Sequence, residues 1–176
     1  MKKFTLLFLA TILTFVISSC SKTEEVAPAA SIVAKWNATE IGAILDSKTY
    51  KTPPGKDVKE GTSTLSVKPF FYEFKADGTG NFGDETGKYT LSADGKSLAI
   101  ILKTYTVNFE VATLTATDLK LTSLKLSKKA GERYKPVDYD GFFTSISGTY
   151  AIIGNGGTSA DITNSTSLQA TVSFKK

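Results

Sequence analysis

Phe70-Phe71-Tyr72-Glu73-Phe74-Lys75-Ala76-Asp77-Gly78-Thr79-Gly80-Asn81-Phe82 is the stretch that decides the fold. Phe70, Tyr72 and Phe74 alternate with Phe71, Glu73 and Lys75, the period of two that puts successive side chains on opposite faces of a strand. Asp77-Gly78 then punctuates the run. Glycine accepts the positive φ of a tight turn, and aspartate bonds its own local backbone. The stretch therefore predicts two strands joined by a hairpin turn, with one aromatic face turned inward.

The same pattern extends in both directions. Leu98, Ile100 and Leu102 alternate, and Ala99 and Ile101 give that strand a second apolar face. Tyr105, Val107, Phe109 and Val111 alternate with Thr106, Asn108, Glu110 and Ala112. Leu168, Ala170, Val172 and Phe174 do so near the end. Asp94-Gly95 marks another turn. The apolar parity changes between Leu119/Leu121 and Leu124/Leu126, predicting a bulge or bend at Thr122-Ser123. Helical periodicity is scarce. Pro53-Pro54-Gly55 breaks the segment 46–66, which reads as a hairpin with a long tip or a mouth loop. Residues 127–141 read as a long polar loop, and Gly154-Asn155-Gly156-Gly157 opens the loop before the last strand. The expected fold is all-β: an antiparallel up-and-down barrel of roughly eight to ten strands, since closure removes the edges an open sheet would expose.

Composition narrows the chemistry. The chain has no histidine and a single cysteine, Cys20. Histidine-dependent nucleophile systems and ordinary zinc or copper sites are thereby excluded, and no metal, cofactor or catalytic residue is expected. Asp138-Tyr139-Asp140-Gly141 lacks the further ligands of a calcium loop. Glu73 and Glu110, the strand-borne carboxylates a glycosidase would need, fall opposite the aromatic face and read as solvent-facing. Gly154–Gly157 lacks the helix and lysine of a phosphate loop. Lys128, Lys129, Arg133 and Lys135 cluster, but Glu132, Asp138 and Asp140 interrupt them; a solvated loop is expected, not a nucleic-acid surface.

The N-terminus carries a different signal. Lys2 and Lys3 precede an uncharged, mostly apolar run from Phe4 to Ile17, the size of a signal-peptide core and short for a membrane span. With both lysines removed, the chain's net charge of +4 falls to +2. The run ends in Ile17-Ser18-Ser19-Cys20, which resembles the lipobox of bacterial lipoproteins. That resemblance implies residues 1–19 as a signal peptide, lipidation of Cys20 and attachment to the membrane through it. Residues 20–31 are then the anchor and flexible tether, and 32–176 the domain. Ser21 after the cysteine implies the outer membrane by the same analogy. Lys22 to Glu25 reads either as a surface-export signal or as a solubilising linker.

Ile32-Val33-Ala34-Lys35-Trp36, the Tyr72–Phe82 run, Gly87-Lys88-Tyr89-Thr90-Leu91 and Leu114–Leu121 together resemble the lipocalin-like domains of small lipoproteins. The resemblance spans about residues 31–127. The family opens with Gly-x-Trp, and here Ala34 stands in place of the glycine. Residues 128–176 are expected to supply closing strands or an extra hairpin. The inward aromatics Trp36, Phe70, Tyr72, Phe74, Tyr89, Tyr105 and Phe109 either fill the barrel or line a ligand cavity, with Tyr72 or Tyr105 as polar anchors. Two functions follow: binding of a small hydrophobic molecule, or a non-enzymatic role as an interaction module or accessory subunit of an outer-membrane complex. A Cys20→Ser chain is expected to be released from membranes or left unprocessed. Fractionation with membranes at mature size would refute lipidation.

Overall fold

The computed structural model describes residues 31–176. The expected signal peptide, Cys20 and the tether up to residue 30 lie outside the described residues. Twelve strands and two helices follow. Eight of the strands close into an antiparallel barrel: β1 (Ala34–Leu45), β5 (Phe71–Phe74), β6 (Thr79–Phe82), β7 (Glu85–Leu91), β8 (Ser97–Ile101), β9 (Thr106–Leu114), β10 (Asp118–Ser123) and β12 (Ser167–Lys175). Each pairs with the next around the wall, and β12 returns to β1 with Ala38 opposite Phe174 and Leu45 opposite Leu168. The closed, all-β barrel expected from the period-two pattern is therefore the fold.

Two excursions leave the barrel. The first joins β1 to β5 through β2 (Lys48–Thr52) and a separate hairpin of β3 (Asp57–Glu60) and β4 (Ser63–Ser66). Of the two alternatives for 46–66 the hairpin is the one formed, as β3–β4, preceded by β2 pairing with β1. The second joins β10 to β12 through β11 (Leu126–Ser127), helix α1 (Tyr139–Gly154) and helix α2 (Ser159–Asn164).

The hairpin turns carry the expected chemistry. Gly78 and Gly95 adopt φ of 81° and 70°. Asp77 accepts from Thr79 N at 2.9 Å, and Asp94 from Lys96 N at 3.0 Å. In β1 a bulge falls between Ala38 and Glu40. It changes parity from Trp36 and Ala38 to Ile41, Ala43 and Leu45, all facing cores. The extra residue keeps one inner face continuous along a 12-residue strand.

The bend expected at Thr122-Ser123 lies where β10 ends. Beyond Ser123 the chain leaves β9, and Leu126 pairs with Leu168 of β12. A register irregularity against β9 sits slightly earlier, between Lys120 and Leu121.

The tail departs from expectation. Residues 139–154 are helical, so of the expected 127–141 loop only the polar connection before Asp138 is loop. Of the two alternatives for 128–176, β12 supplies a closing strand, and there is no extra hairpin among the described residues. Gly154–Gly157 ends a helix; it does not open a strand loop. Gly156 at φ 83° lets the amides of Gly156 and Gly157 reach the carbonyls of Ile153 and Ile152.

Helix α1 was hidden for a physical reason. Thr144, Ile146, Thr149, Ile152 and Ile153 are β-branched, and Gly141 and Gly148 weaken a helix further. Packing overrides those preferences. Asp138 caps the first turn by accepting from Gly141 N at 2.8 Å. Thr144, Gly148, Ala151 and Ile152 form a buried stripe with helical spacing.

Two apolar clusters result. One fills the barrel around Trp36, Phe74, Leu98, Leu119 and Phe174. The other lies between α1, β2, β3 and the far half of β1, around Ile41, Tyr50, Tyr150 and Ile152. Gly148 makes the second approach close: a Cβ there would stand 2.8 Å from Leu168 Cδ1. Gly148→Val is expected to destabilise the fold by about 1–3 kcal/mol through overpacking. Combined with Leu168→Ala in urea titrations, it should show a favourable coupling of at least about 0.5 kcal/mol; strict additivity would refute the contact.

Candidate functional site

The barrel has two unlike ends. At one, β1 begins at Ala34 opposite Phe74, and β12 ends with Lys175 opposite Asn37. Trp36 is fully buried there, donating from Nε1 to the carbonyl of Ile32 at 2.7 Å. Phe74 packs edge-on against Phe82 and Tyr89, and the Tyr89 hydroxyl donates to Lys75 O at 2.8 Å. This end is solid. The other end, the mouth, lies where β8 finishes and β9 begins, and α1 crosses it.

Polar contacts fix that crossing. The carboxylate of Asp140 accepts from the backbone and side-chain nitrogens of Asn108 at 2.7 and 2.9 Å. It takes over the edge of β9 where β10 has departed. Ser123 is the next tie. Its Oγ accepts from Ala170 N at 2.9 Å and lies 2.8 Å from Thr144 Oγ1. At the helix's far end the Tyr150 hydroxyl bridges the carbonyls of Pro53 and Lys56 at 2.9 and 2.8 Å.

Between the mouth and the helix lies a cavity of about 230 Å3. Tyr72, Phe82, Ile100, Leu102, Val107 and Phe109 form its barrel wall. Helix α1 contributes Tyr139, Phe142, Phe143, Ile146 and Ser147, and Glu85 and Tyr105 stand at the rim. Phe143 meets Phe109 edge-to-face, with centroids 5.1 Å apart. At the rim, Tyr105 stacks flat on Tyr139 at 3.8 Å and donates its hydroxyl to Glu85 Oε1 at 2.5 Å.

Of the seven aromatics singled out in the sequence, Tyr72, Tyr105 and Phe109 meet at the cavity. Trp36, Phe74 and Tyr89 stand in the solid end, and Phe70 packs against Tyr72 and Phe174 outside the lining. The sequence reading missed every helical contribution. The i, i+4 spacings of Tyr139–Phe143 and Phe142–Ile146 were the available signal, masked by the glycines and β-branched residues around them.

The tyrosines differ in environment. The Tyr72 hydroxyl has no hydrogen-bond partner among the described residues, although no fully enclosed side-chain polar atom there lacks one. It is therefore open to the cavity. Burial pushes Tyr72 above the ordinary phenol range, and neighbouring Tyr105 adds to the effect. Tyr105 is pushed up to about 12, first by burial, then by its hydrogen bond to Glu85 and that group's charge.

Glu73 and Glu110 both face outward. Glu73 accepts from the side chain of Asn81 in the neighbouring strand, and Glu110 is exposed. Asp138 and Asp140 serve helix α1 as described. Among the described residues there is no cluster of three or more potential metal-ligating side chains, and no helix is long and apolar enough to cross a membrane. No family model, characterised protein or solved structure matches this chain.

The rim has a pH signature. Tyr105 is disfavoured as phenolate in the folded chain, whereas in the unfolded chain it ionises near 10.0. Above that pH the unfolded state binds fewer protons than the folded one, so stability falls as pH rises. The contribution is intact below pH 10 and declines as pH climbs towards about 12. Phenolate absorbance at alkaline pH should show Tyr105 ionising late. Tyr105→Phe should remove one late-titrating phenol, leaving the late titration of Tyr72, and lessen the fall in stability. An unchanged titration would place Tyr105 elsewhere than at the buried rim.

Proposed function

We propose that this protein is a lipid-anchored envelope lipoprotein with a lipocalin-like barrel that binds a small hydrophobic molecule. The observation that carries the reading is the cavity under α1, apolar on both walls and supplied with a few hydroxyls. Ligand sites have this composition: mostly apolar and aromatic walls with a small number of polar groups that orient the guest. A dry cavity of about 150 Å3 accepts benzene, so about 230 Å3 suits one ring with a short substituent.

The lipobox-like Ile17–Cys20 supports the anchor. Two or more acyl chains would make the attachment lasting, where a single chain binds only marginally. The strand β1 begins at the solid end, so a tether leading into it would leave the mouth at the opposite end. No step of this function calls for catalysis, and the reading is of a binder, not an enzyme.

A second reading has its own observation. Val137 is 94% exposed, and Tyr139, Phe142 and Ile146 are each about half exposed beside the mouth. Exposed apolar side chains gathered in one place commonly mark a protein contact, which fits an accessory subunit of an outer-membrane complex. Cross-linking in intact cells through residue 137 should trap a reproducible partner under that reading, and none under the first.

Native mass spectrometry of the chain from Ser21, isolated gently from the periplasm, tests the binding reading. The expected result is a reproducible mass increment lost on denaturation. Ser147→Phe, which fills the cavity from the helix side, should abolish it while leaving the far-ultraviolet circular dichroism unchanged. An increment that survived this substitution would place the guest elsewhere.

A further inference from the structure

The polarity of the cavity restricts what it can hold. This inference rests on the binding reading above and names the class of ligand. No lysine or arginine lines the cavity. A carboxylate or phosphate brought inside would lose its water without gaining a cation, a large desolvation cost. The charged group at the rim, Glu85, is itself an acid, and Tyr105 caps it. Anionic amphiphiles such as fatty acids are therefore poor guests.

What the cavity does offer is a donor. The Tyr72 hydroxyl is attached to a ring held on several sides: Phe174 at 4.9 Å, Phe82 at 5.5 Å and Phe70 at 5.7 Å between centroids. The ring cannot swing away to find a partner without disturbing that packing. A phenol is neutral near pH 7, so the group presents an O–H. Against the aromatic walls, a flat ring has more favourable contacts than a flexible chain of equal volume.

We propose that the cavity selects a neutral, ring-sized molecule bearing a hydrogen-bond acceptor, such as a ketone or ester oxygen, and that the Tyr72 hydroxyl donates to that oxygen. Tyr72 is then the specificity-determining residue of the site, and the aromatic wall supplies the bulk of the affinity. The acceptor selects by an asymmetry: an unpaired Tyr72 hydroxyl against a purely hydrocarbon guest is the cost that an acceptor-bearing guest avoids.

Three single-ring probes separate the terms: acetophenone, ethylbenzene and benzoate. Binding is followed by ligand-observed nuclear magnetic resonance at neutral pH. The protein is the chain from Ser21, because residues 31–176 contain the whole closed barrel and every cavity wall. Acetophenone is expected to bind about three- to tenfold more tightly than ethylbenzene, the range of one net hydrogen bond. Benzoate is expected to bind at least about tenfold more weakly than acetophenone.

In Tyr72→Phe the preference for acetophenone over ethylbenzene should vanish, with circular dichroism and the melting point establishing that the variant folds. Tyr134→Phe, whose hydroxyl pairs with Ser165 Oγ away from the cavity, should keep the preference. Benzoate binding as tightly as acetophenone, or an intact preference in Tyr72→Phe, would overturn the ligand class while leaving a hydrophobic binding site standing. If none of the three probes binds, the binding reading falls and the ligand class falls with it.

Discussion

The pairing of β12 with β1 is the constraint on which the molecule depends. A meander of seven strands has two free edges, each a row of unsatisfied amides and carbonyls. Residues 168–175 satisfy both at once, pairing with β1 on one side and β10 on the other. The same strand sends Leu168, Ala170, Val172 and Phe174 inward, and these residues join the barrel core to the region beneath α1. One strand thus closes the wall and supplies part of the surface on which the helix packs. The long excursion before β12 can be irregular because its two ends are held: β10 by β9, and β12 by β1.

Closure alone does not make a site. A barrel of eight strands has an interior just wide enough to be filled by side chains. At the solid end it is filled, with Trp36 bonded to the carbonyl of Ile32 and a cluster of aromatics in edge-to-face contact. At the mouth, the wall strands carry Ile100, Val107 and Phe109, and the space above them is roofed by Phe143 and Ser147 from a helix that lies across the opening. The roof is tied by Asp140 to β9, by Thr144 to Ser123 and by Tyr150 to the loop around Pro53 and Lys56. The cavity is therefore a consequence of a helix held at a fixed height by polar contacts.

Those ties explain several residues that otherwise look like chemistry. Asp138 and Asp140 resemble fragments of an ion-binding loop in the linear chain. In the fold one caps a helix and the other completes a strand edge. Lys128 belongs to a basic cluster in the sequence, but its ammonium donates to the carbonyls of Thr163 and Ser165 and lies over the ring of Tyr134. Asp140 fastens the helical excursion to the wall, and Lys128 holds that excursion's own loop together.

By itself the sequence determined the barrel. Alternation at Phe70–Lys75, Tyr105–Ala112 and Leu168–Lys175, with Asp-Gly turns between strands, is a local signal, because strand periodicity and turn geometry are written in neighbouring residues. It also marked Tyr72, Tyr105 and Phe109 as inward. The tertiary structure alone decided which inward aromatics are packed and which border space, since that depends on distance from the mouth and on what lies above it. It also decided that residues 139–154 are a helix. Glycines and β-branched residues argue against one locally, and only burial of Gly148 against Leu168 and of Tyr150 beneath the Pro53 loop reverses the balance. Propensity is a property of neighbours in the chain, whereas the roof of the cavity is set by contacts between residues nearly a hundred positions apart.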